Sequence, residues 1–251
     1  MLTSQRKKII LEKLAQDGQV VAKQLSELFG LSEDTLRRDL RELDSEGLLQ
    51  RVHGGALPVS SAIATFAERN TLESAAKTAI AKAAAAMIMP GQVVILDGGT
   101  TSAELVKQLP RNLQATVVTH SPSVAVGLVE HPNIEVIMIG GRLYKHSIVC
   151  VGAAAVEAMS HIRADIYFMG VTGVHPVAGL STGDLEEAYI KRALAARAAE
   201  TVVLASAAKL NAASQYAIGE LTLAQTIVVE GDTADALIEP LQQAGVTVIK
   251  A

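Results

Sequence analysis

From about Leu72 onward, short aliphatic runs recur with a regularity that few folds can accommodate. They are V-V-I-L-D at 93–97, A-T-V-V-T at 115–119, V-I-M-I-G at 136–140, D-I-Y-F-M-G at 165–170, T-V-V-L-A at 201–205, T-I-V-V-E at 226–230 and V-T-V-I-K at 246–250. Each is short and lacks strict alternation, which is the pattern of strands covered on both faces. Helical segments are expected between them: from about Leu72 to Met89, from Ser102, from Ser123, over Ala153–Met159 and from about Glu186 to Ala199. Strand, helix and strand in repetition imply parallel crossovers and therefore an open, mostly parallel, doubly wound α/β sheet. Trp is absent and aromatic residues make up 3% of the chain, so the core of that sheet is aliphatic.

In such a sheet a ligand sits beyond the carboxyl ends of the strands. Polar punctuation falls there: Asp97-Gly98-Gly99-Thr100-Thr101, Thr119-His120-Ser121, Gly140-Gly141-Arg142, Gly170, and the stretch around Lys209. Gly98 and Gly99 allow close backbone approach, Thr100, Thr101 and Ser102 add hydroxyls, and a helix opening near Ser102 would aim its N–H groups at the same point. That combination is a seat for phosphate or carboxylate. The stretch lacks the G-K-[ST] of a Walker loop and the G-x-G-x-x-G of a dinucleotide fingerprint. Arg142, Lys145 and Lys209 could add positive charge; His120 and His146 are equally compatible with structural roles. No ligand-spaced His/Cys cluster points to a metal, and no cofactor is called for. Asp97, Asp184 and Glu187 are possible acids or bases, but spacing supplies no set of nucleophile, base and orienting group.

The first 55 residues follow another plan. S-Q-R-K-K-I-I-L-E-K-L-A predicts a helix capped by Ser4, with Ile10, Leu11 and Leu14 on one face and Gly18 as its stop. A second helix, with Leu25 and Leu28 inward, ends at Gly30; Ser32 caps a third that carries Glu33 and Asp34 in its first turn. In that third helix Leu36, Leu40 and Leu43 recur at i, i+4 and i+7, leaving Thr35, Arg37, Arg38 and Arg41 as a polar ridge that fits a major groove. Asp39 reads as an internal partner for a basic group. After Gly47, L-L-Q-R-V-H-G-G-A-L reads as two short strands around a Gly-Gly turn, a wing that places Arg51 or His53 near the phosphate backbone. A salt-laced surface helix would explain the arginines but not three short helices, a tight turn and a β wing in succession.

The net charge of −4 does not oppose DNA binding, because charge location matters more than the total. The first 55 residues hold nine Lys or Arg and nine Asp or Glu, so the deficit lies entirely in the remainder. A neutral reading head attracts DNA weakly, which favours two or more copies acting together. The one cysteine, Cys150, lies between two valines and reads as a buried thiol in a reducing compartment. The start resembles no secretory signal and no apolar run approaches the roughly 20 residues of a membrane span, so the cytoplasm is expected.

With Ser32, Thr35, Leu36, Arg37, Arg38, Asp39 and Leu40, followed by Gly47, Arg51, His53, Gly54, Gly55 and Ala56, the chain closely resembles the DeoR family of bacterial transcriptional regulators. The resemblance runs over nearly the whole length. It implies a winged helix-turn-helix DNA-binding domain over 1–57, a linker over 58–71, and a sugar-phosphate sensing and oligomerisation domain over 72–251. That second domain would be Rossmann-like and similar in fold to ribose-5-phosphate isomerase. The implied DNA-binding residues are Ser32, Thr35, Arg37, Arg38, Arg41, Arg51 and His53. The implied effector residues are Asp97, Gly98, Gly99, Thr100, Thr101, Thr119, His120, Ser121, Gly141, Arg142 and Lys209. The family's D-S-G-T-T has glycine here in place of serine, T-N-S is Thr119-His120-Ser121, and D-x-S-K is Ser206-Ala207-Ala208-Lys209 without the acid. The resemblance further implies a homo-oligomeric, non-enzymatic regulator, in most relatives a repressor of sugar or nucleoside catabolism, partnered by operator DNA and a phosphorylated sugar.

Overall fold

The structure, a computed structural model, describes residues 2–52, 54–58, 66–72 and 74–251. The N-terminal segment folds as α1 (Thr3–Asp17), β1 (Val20–Val21), α2 (Ala22–Phe29), α3 (Glu33–Ser45), β2 (Gln50–Val52) and β3 (Gly55–Leu57). Ile10, Leu14, Leu25, Leu36, Leu40, Leu43 and Leu49 close one small apolar core. α1 ends where expected, at Gly18 in the left-handed region, whose N–H donates to the Leu14 carbonyl. It begins earlier than expected: Leu2, not Ser4, precedes its first turn, and Leu2 N–H donates to Gln5 Oε1. Leu28 is also a correction, being 53% exposed. Ala22 and Leu25 define the inward stripe of α2, and Phe29, four residues past Leu25, takes the next position on the core. β1 adds to the expected hairpin, giving a three-stranded wing in the order β1-β3-β2.

Beyond it lie α4 (Phe66–Thr71), α5 (Ser74–Ala85), β4 (Val93–Leu96), α6 (Thr100–Gln108), β5 (Ala115–Thr119), α7 (Pro122–Leu128), β6 (Ile134–Met138), β7 (Arg142–Tyr144), β8 (Val149–Val151), α8 (Ala153–Met159) and β9 (Ala164–Gly170). The chain continues as β10 (Gly173–His175), β11 (Gly179–Thr182), α9 (Leu185–Ala195), β12 (Ala198–Leu204), β13 (Tyr216–Gly219), β14 (Thr226–Val229), α10 (Asp235–Gln243) and β15 (Thr247–Lys250). Seven of these strands form one sheet in the order β15-β14-β12-β9-β4-β5-β6, and every neighbouring pair is parallel.

The two faces follow strand alternation. Val94, Leu96, Val117, Phe168, Val202 and Leu204 pack with residues of α5, α6 and α7. Ile95, Val118, Tyr167, Met169, Val203 and Ile227 pack with α8, α9 and α10. β4 leads to β5 and β6 on one side, whereas β9 and the later strands add on the other, so the strand order reverses between β4 and β9. A crevice at the carboxyl ends of those two strands is where this architecture places a ligand.

Several boundaries differ from the sequence reading. The helix expected over 72–89 is the shorter α5, Ser74–Ala85, and an additional helix, α4, falls within the segment read as linker. α9 stops at Ala195, because Ala198 already belongs to β12. The β7–β8 hairpin and the small antiparallel sheet β10-β11-β13 were not anticipated; strands of three or four residues carry too little pattern to be read.

Candidate functional site

Asp97 directly follows β4 and is fully buried at the point where the strand order reverses. Its Oδ1 accepts from Gly98 N–H at 2.8 Å and stands 2.8 Å from His120 Nε2. Its Oδ2 accepts from Gly170 N–H at 2.8 Å, across the switch point, and from the Lys191 ammonium. His120 is held from its other side, with Nδ1 2.9 Å from the Cys150 carbonyl oxygen. Burial, the largest single influence on Asp97, opposes ionisation; the Lys191 charge and the bonds and charge of His120 outweigh it and hold the carboxyl below the ordinary carboxylate range. The Tyr167 phenol, fully buried beside this carboxylate, is pushed well up by burial and by the Asp97 charge.

Above this floor lies a cavity of about 210 Å³. Gly98, Gly99, Thr100, Thr101 and Ser102 line one side, where α6 begins with Gly99 preceding its first turn at φ 105° and no side chain capping it. Gly170, Val171, Thr172 and Thr182 line another. Arg69, Lys77, Lys191 and Lys209 bring four basic groups to the lining against one acid, Glu187. Open N–H groups of a helix start beneath a surplus of positive charge make a seat for an anion. Glycine is required at 99 by its φ. At 98 a Cβ would lie 2.1 Å from Val149 Cγ1, so a valine methyl group fills the space that a side chain there would need.

The expected effector residues thus divide into groups. Gly98, Gly99, Thr100, Thr101 and Lys209 line the cavity. Asp97, Thr119, His120 and Ser121 are fully buried and lie off its surface. Thr119 Oγ1 accepts from Ser121 N–H at 3.1 Å, and Ser121 Oγ donates to the Ile148 carbonyl, so these residues pin the loops beneath the cavity. Gly141 precedes β7 and Arg142 opens it, both outside the lining, with Arg142 exposed.

Arg69, Lys77, Glu187 and Lys191 were missing from the effector set read in the sequence. The signal for three of them was present: Glu187 and Lys191 share the inward stripe of α9 with Leu194, and Lys77 stands on the stripe of α5 that continues as Ile80, Ala81 and Ala84. A charged side chain at a core position of an amphipathic helix is costly unless paired, and so marks a site.

On the N-terminal segment, Ser32 Oγ accepts from Thr35 N–H at 3.4 Å and lies 3.0 Å from Thr35 Oγ1 at the start of α3. Arg37, Arg38 and Arg41 are exposed along that helix; Arg37 pairs with Glu33 at 2.8 Å and Arg41 Nε donates to the Arg37 carbonyl. Asp39 is buried, and Arg6 meets it through both Nε and Nη2, which supplies the internal partner expected for it. Arg51 is exposed on β2; His53 lies outside the described residues. Among the described residues no group of three His, Cys, Asp or Glu is arranged to hold a metal, and no helix is long and apolar enough to cross a membrane.

A helix-turn-helix with a β wing, followed by a doubly wound parallel sheet, defines a DNA-binding transcription regulator. The chain belongs to the DeoR family: residues 6–62 match the DeoR-like helix-turn-helix domain and residues 72–249 the DeoR C terminal sensor domain. It is 34% identical to the HTH-type transcriptional regulator GlpR of Haloferax volcanii, over 99% of this chain and 98% of that one. It is 30% identical to the HTH-type transcriptional regulator GolR of Listeria innocua, with the same coverage of 99% and 98%. Among solved structures, ribose 5-phosphate isomerase A of Methanocaldococcus jannaschii is similar over 53% of this chain and 52% of its own, at 20% identity and a TM-score of 0.38.

Proposed function

We propose that the chain is a sequence-specific repressor of a carbohydrate or nucleoside catabolic operon, acting in the cytoplasm as a homodimer or larger homo-oligomer and modulated by a phosphorylated sugar. One observation carries the effector half of this reading: the uncapped start of α6 opens into a cavity whose lining holds four basic side chains and one acid. A phosphoryl group suits the helix start and the cations, while Glu187, Thr172 and Thr182 offer hydrogen-bonding partners for sugar hydroxyls. In the DNA-reading half, Ser32, Thr35, Arg37, Arg38, Arg41, Arg51 and His53 remain the contacts to be tested.

A non-enzymatic reading follows from how the carboxylates are used. Asp97 is surrounded by four polar neighbours within hydrogen-bonding distance, and Asp184 precedes α9 and accepts from Glu187 N–H, so neither is placed as a base toward a guest. Glu187 is the acid that lines the cavity, and it favours a second reading, an isomerase-like activity with Glu187 abstracting a proton.

Calorimetric titration of the intact protein with a panel of sugar phosphates, followed by operator titration with and without the hit, tests both readings. Micromolar binding that shifts operator affinity without turnover is expected. A hit that leaves operator affinity unchanged would refute effector control, and turnover lost in Glu187→Gln would establish the enzyme.

A further inference from the structure

The four cations around the cavity are not equivalent. Lys191 is committed to Asp97. Lys77 donates to the main-chain carbonyls of Arg69 and Leu72, so its ammonium holds the end of α4. Lys209 rises from a single 3₁₀ turn, Ala207–Lys209. Arg69 differs from all three. Its Nη2 donates to the His146 carbonyl at 2.9 Å, but its Nε is buried and has no hydrogen-bond partner. Burial pushes this guanidinium down from its ordinary range, and the opposing charge of Glu187 only partly restores it. A guanidinium that has lost water without regaining its hydrogen bonds is poised for an oxyanion, which its fork of donors matches.

Position in the chain gives this a consequence. α4 is six residues long, follows residues 58–65 directly, and lies between the DNA-reading segment and the matched sensor domain that begins at residue 72. It reaches the cavity through Arg69 and Leu72, and it packs against α6, whose start forms the anion seat.

We propose that Arg69 is a ligand for the effector's phosphoryl group, and that through it occupancy of the cavity orders α4 and is passed to the segment joining the two domains. The proposal rests on the anion seat described above and adds a route by which a filled seat is felt outside the sensor domain. An anion held between the α6 start and the Arg69 fork would tie α4 to α6, whereas the bond to the His146 carbonyl ties it only to the loop between β7 and β8.

Inorganic phosphate serves as the probe on the full-length protein, with affinity read by calorimetry and main-chain order by hydrogen exchange over residues 66–72 and 99–103. In the natural protein, phosphate is expected to slow exchange in both stretches. Arg69→Gln should weaken phosphate at least about tenfold, from loss of a charged hydrogen bond, and abolish the slowing at 66–72. Gly99→Val, at a φ that β-branched residues do not adopt, should abolish binding outright. Should Arg69→Gln prove unfolded by circular dichroism, Arg69→Lys decides: it keeps the charge on a single ammonium nitrogen but not the planar fork, so weaker binding supports the proposal and unchanged affinity overturns it. Phosphate binding unchanged in R69Q but lost in G99V would overturn the role of Arg69 and leave the seat standing. Binding absent from the natural protein, or intact in G99V, would overturn the seat and this proposal with it. Slowing at 66–72 that persists in R69Q at saturating phosphate would overturn the transmission.

Discussion

Asp97 is a carboxylate each of whose oxygens has two polar neighbours within hydrogen-bonding distance, which makes it a post beneath the cavity. It ties the ends of β4 and β9 together and fixes the Gly98-Gly99 corner above it. Removing one member of a buried pair leaves an uncompensated charge, so Lys191→Met should cost about 3–5 kcal/mol in urea denaturation. Because the folded carboxyl titrates below its unfolded value of roughly 3.9, the stabilisation is fully present above that value and is lost as pH falls through the folded one. The unfolding midpoint should therefore fall steeply below about pH 4. A double variant Asp97→Asn/Lys191→Met should lack that part of the decline; an identical acid limb in both proteins would contradict the assignment. Arg6 and Asp39 form a second buried pair, in the DNA-reading segment, and Arg6→Met should carry a similar cost of about 3–5 kcal/mol.

α3 shows how an element separates stability from recognition. Its buried face, Leu36, Asp39, Leu40 and Leu43, meets the core and Arg6, while its exposed face carries the three arginines. Ser32→Ala should cost about 0.5–1 kcal/mol, near the low end for a cap, since the capping bond is long at 3.4 Å. Arg38→Ala should leave the unfolding free energy within about 0.5 kcal/mol, because the side chain is exposed. It should nevertheless weaken the operator complex by about 1–3 kcal/mol if Arg38 reads a base. A mobility-shift comparison against unrelated duplex separates the cases: equal weakening on both sequences would reassign Arg38 to the phosphate backbone. Arg37 starts from a different position, since its pairing with Glu33 must break or rearrange for it to reach a base.

At the scale of the whole molecule, the reading head carries no net charge by sequence, and the surplus of acid lies in the sensor segment. A single copy would be drawn weakly to DNA, so at least a dimer is expected at the concentration that saturates the operator; sedimentation showing a monomer there would contradict this. Coupling of about 1–3 kcal/mol between the cavity and the operator corresponds to roughly 5- to 150-fold in affinity, and linkage requires the same factor in both directions. Measuring effector affinity with and without operator DNA checks that reciprocity, and unequal factors would show that the two titrations do not report one coupled equilibrium.

What the sequence determined by itself was whatever local pattern dictates. The Leu36, Leu40 and Leu43 stripe, the glycine stops at 18 and 30, the aliphatic runs and the D-G-G-T-T corner each carry a signal within one element, so the class of fold and the strand-to-helix corner before α6 were legible. Arg69 and Lys77, by contrast, share a cavity with Gly99 only because α4 and α5 pack beside α6, and Lys191 reaches Asp97 across 94 positions of chain. The resemblance implied His120 as an effector residue, and the fold holds it under the floor, between Asp97 and the Cys150 carbonyl. Periodicity records which face of an element is buried, whereas the order of strands in the sheet, fixed only when the chain closes on itself, decides which buried charges meet.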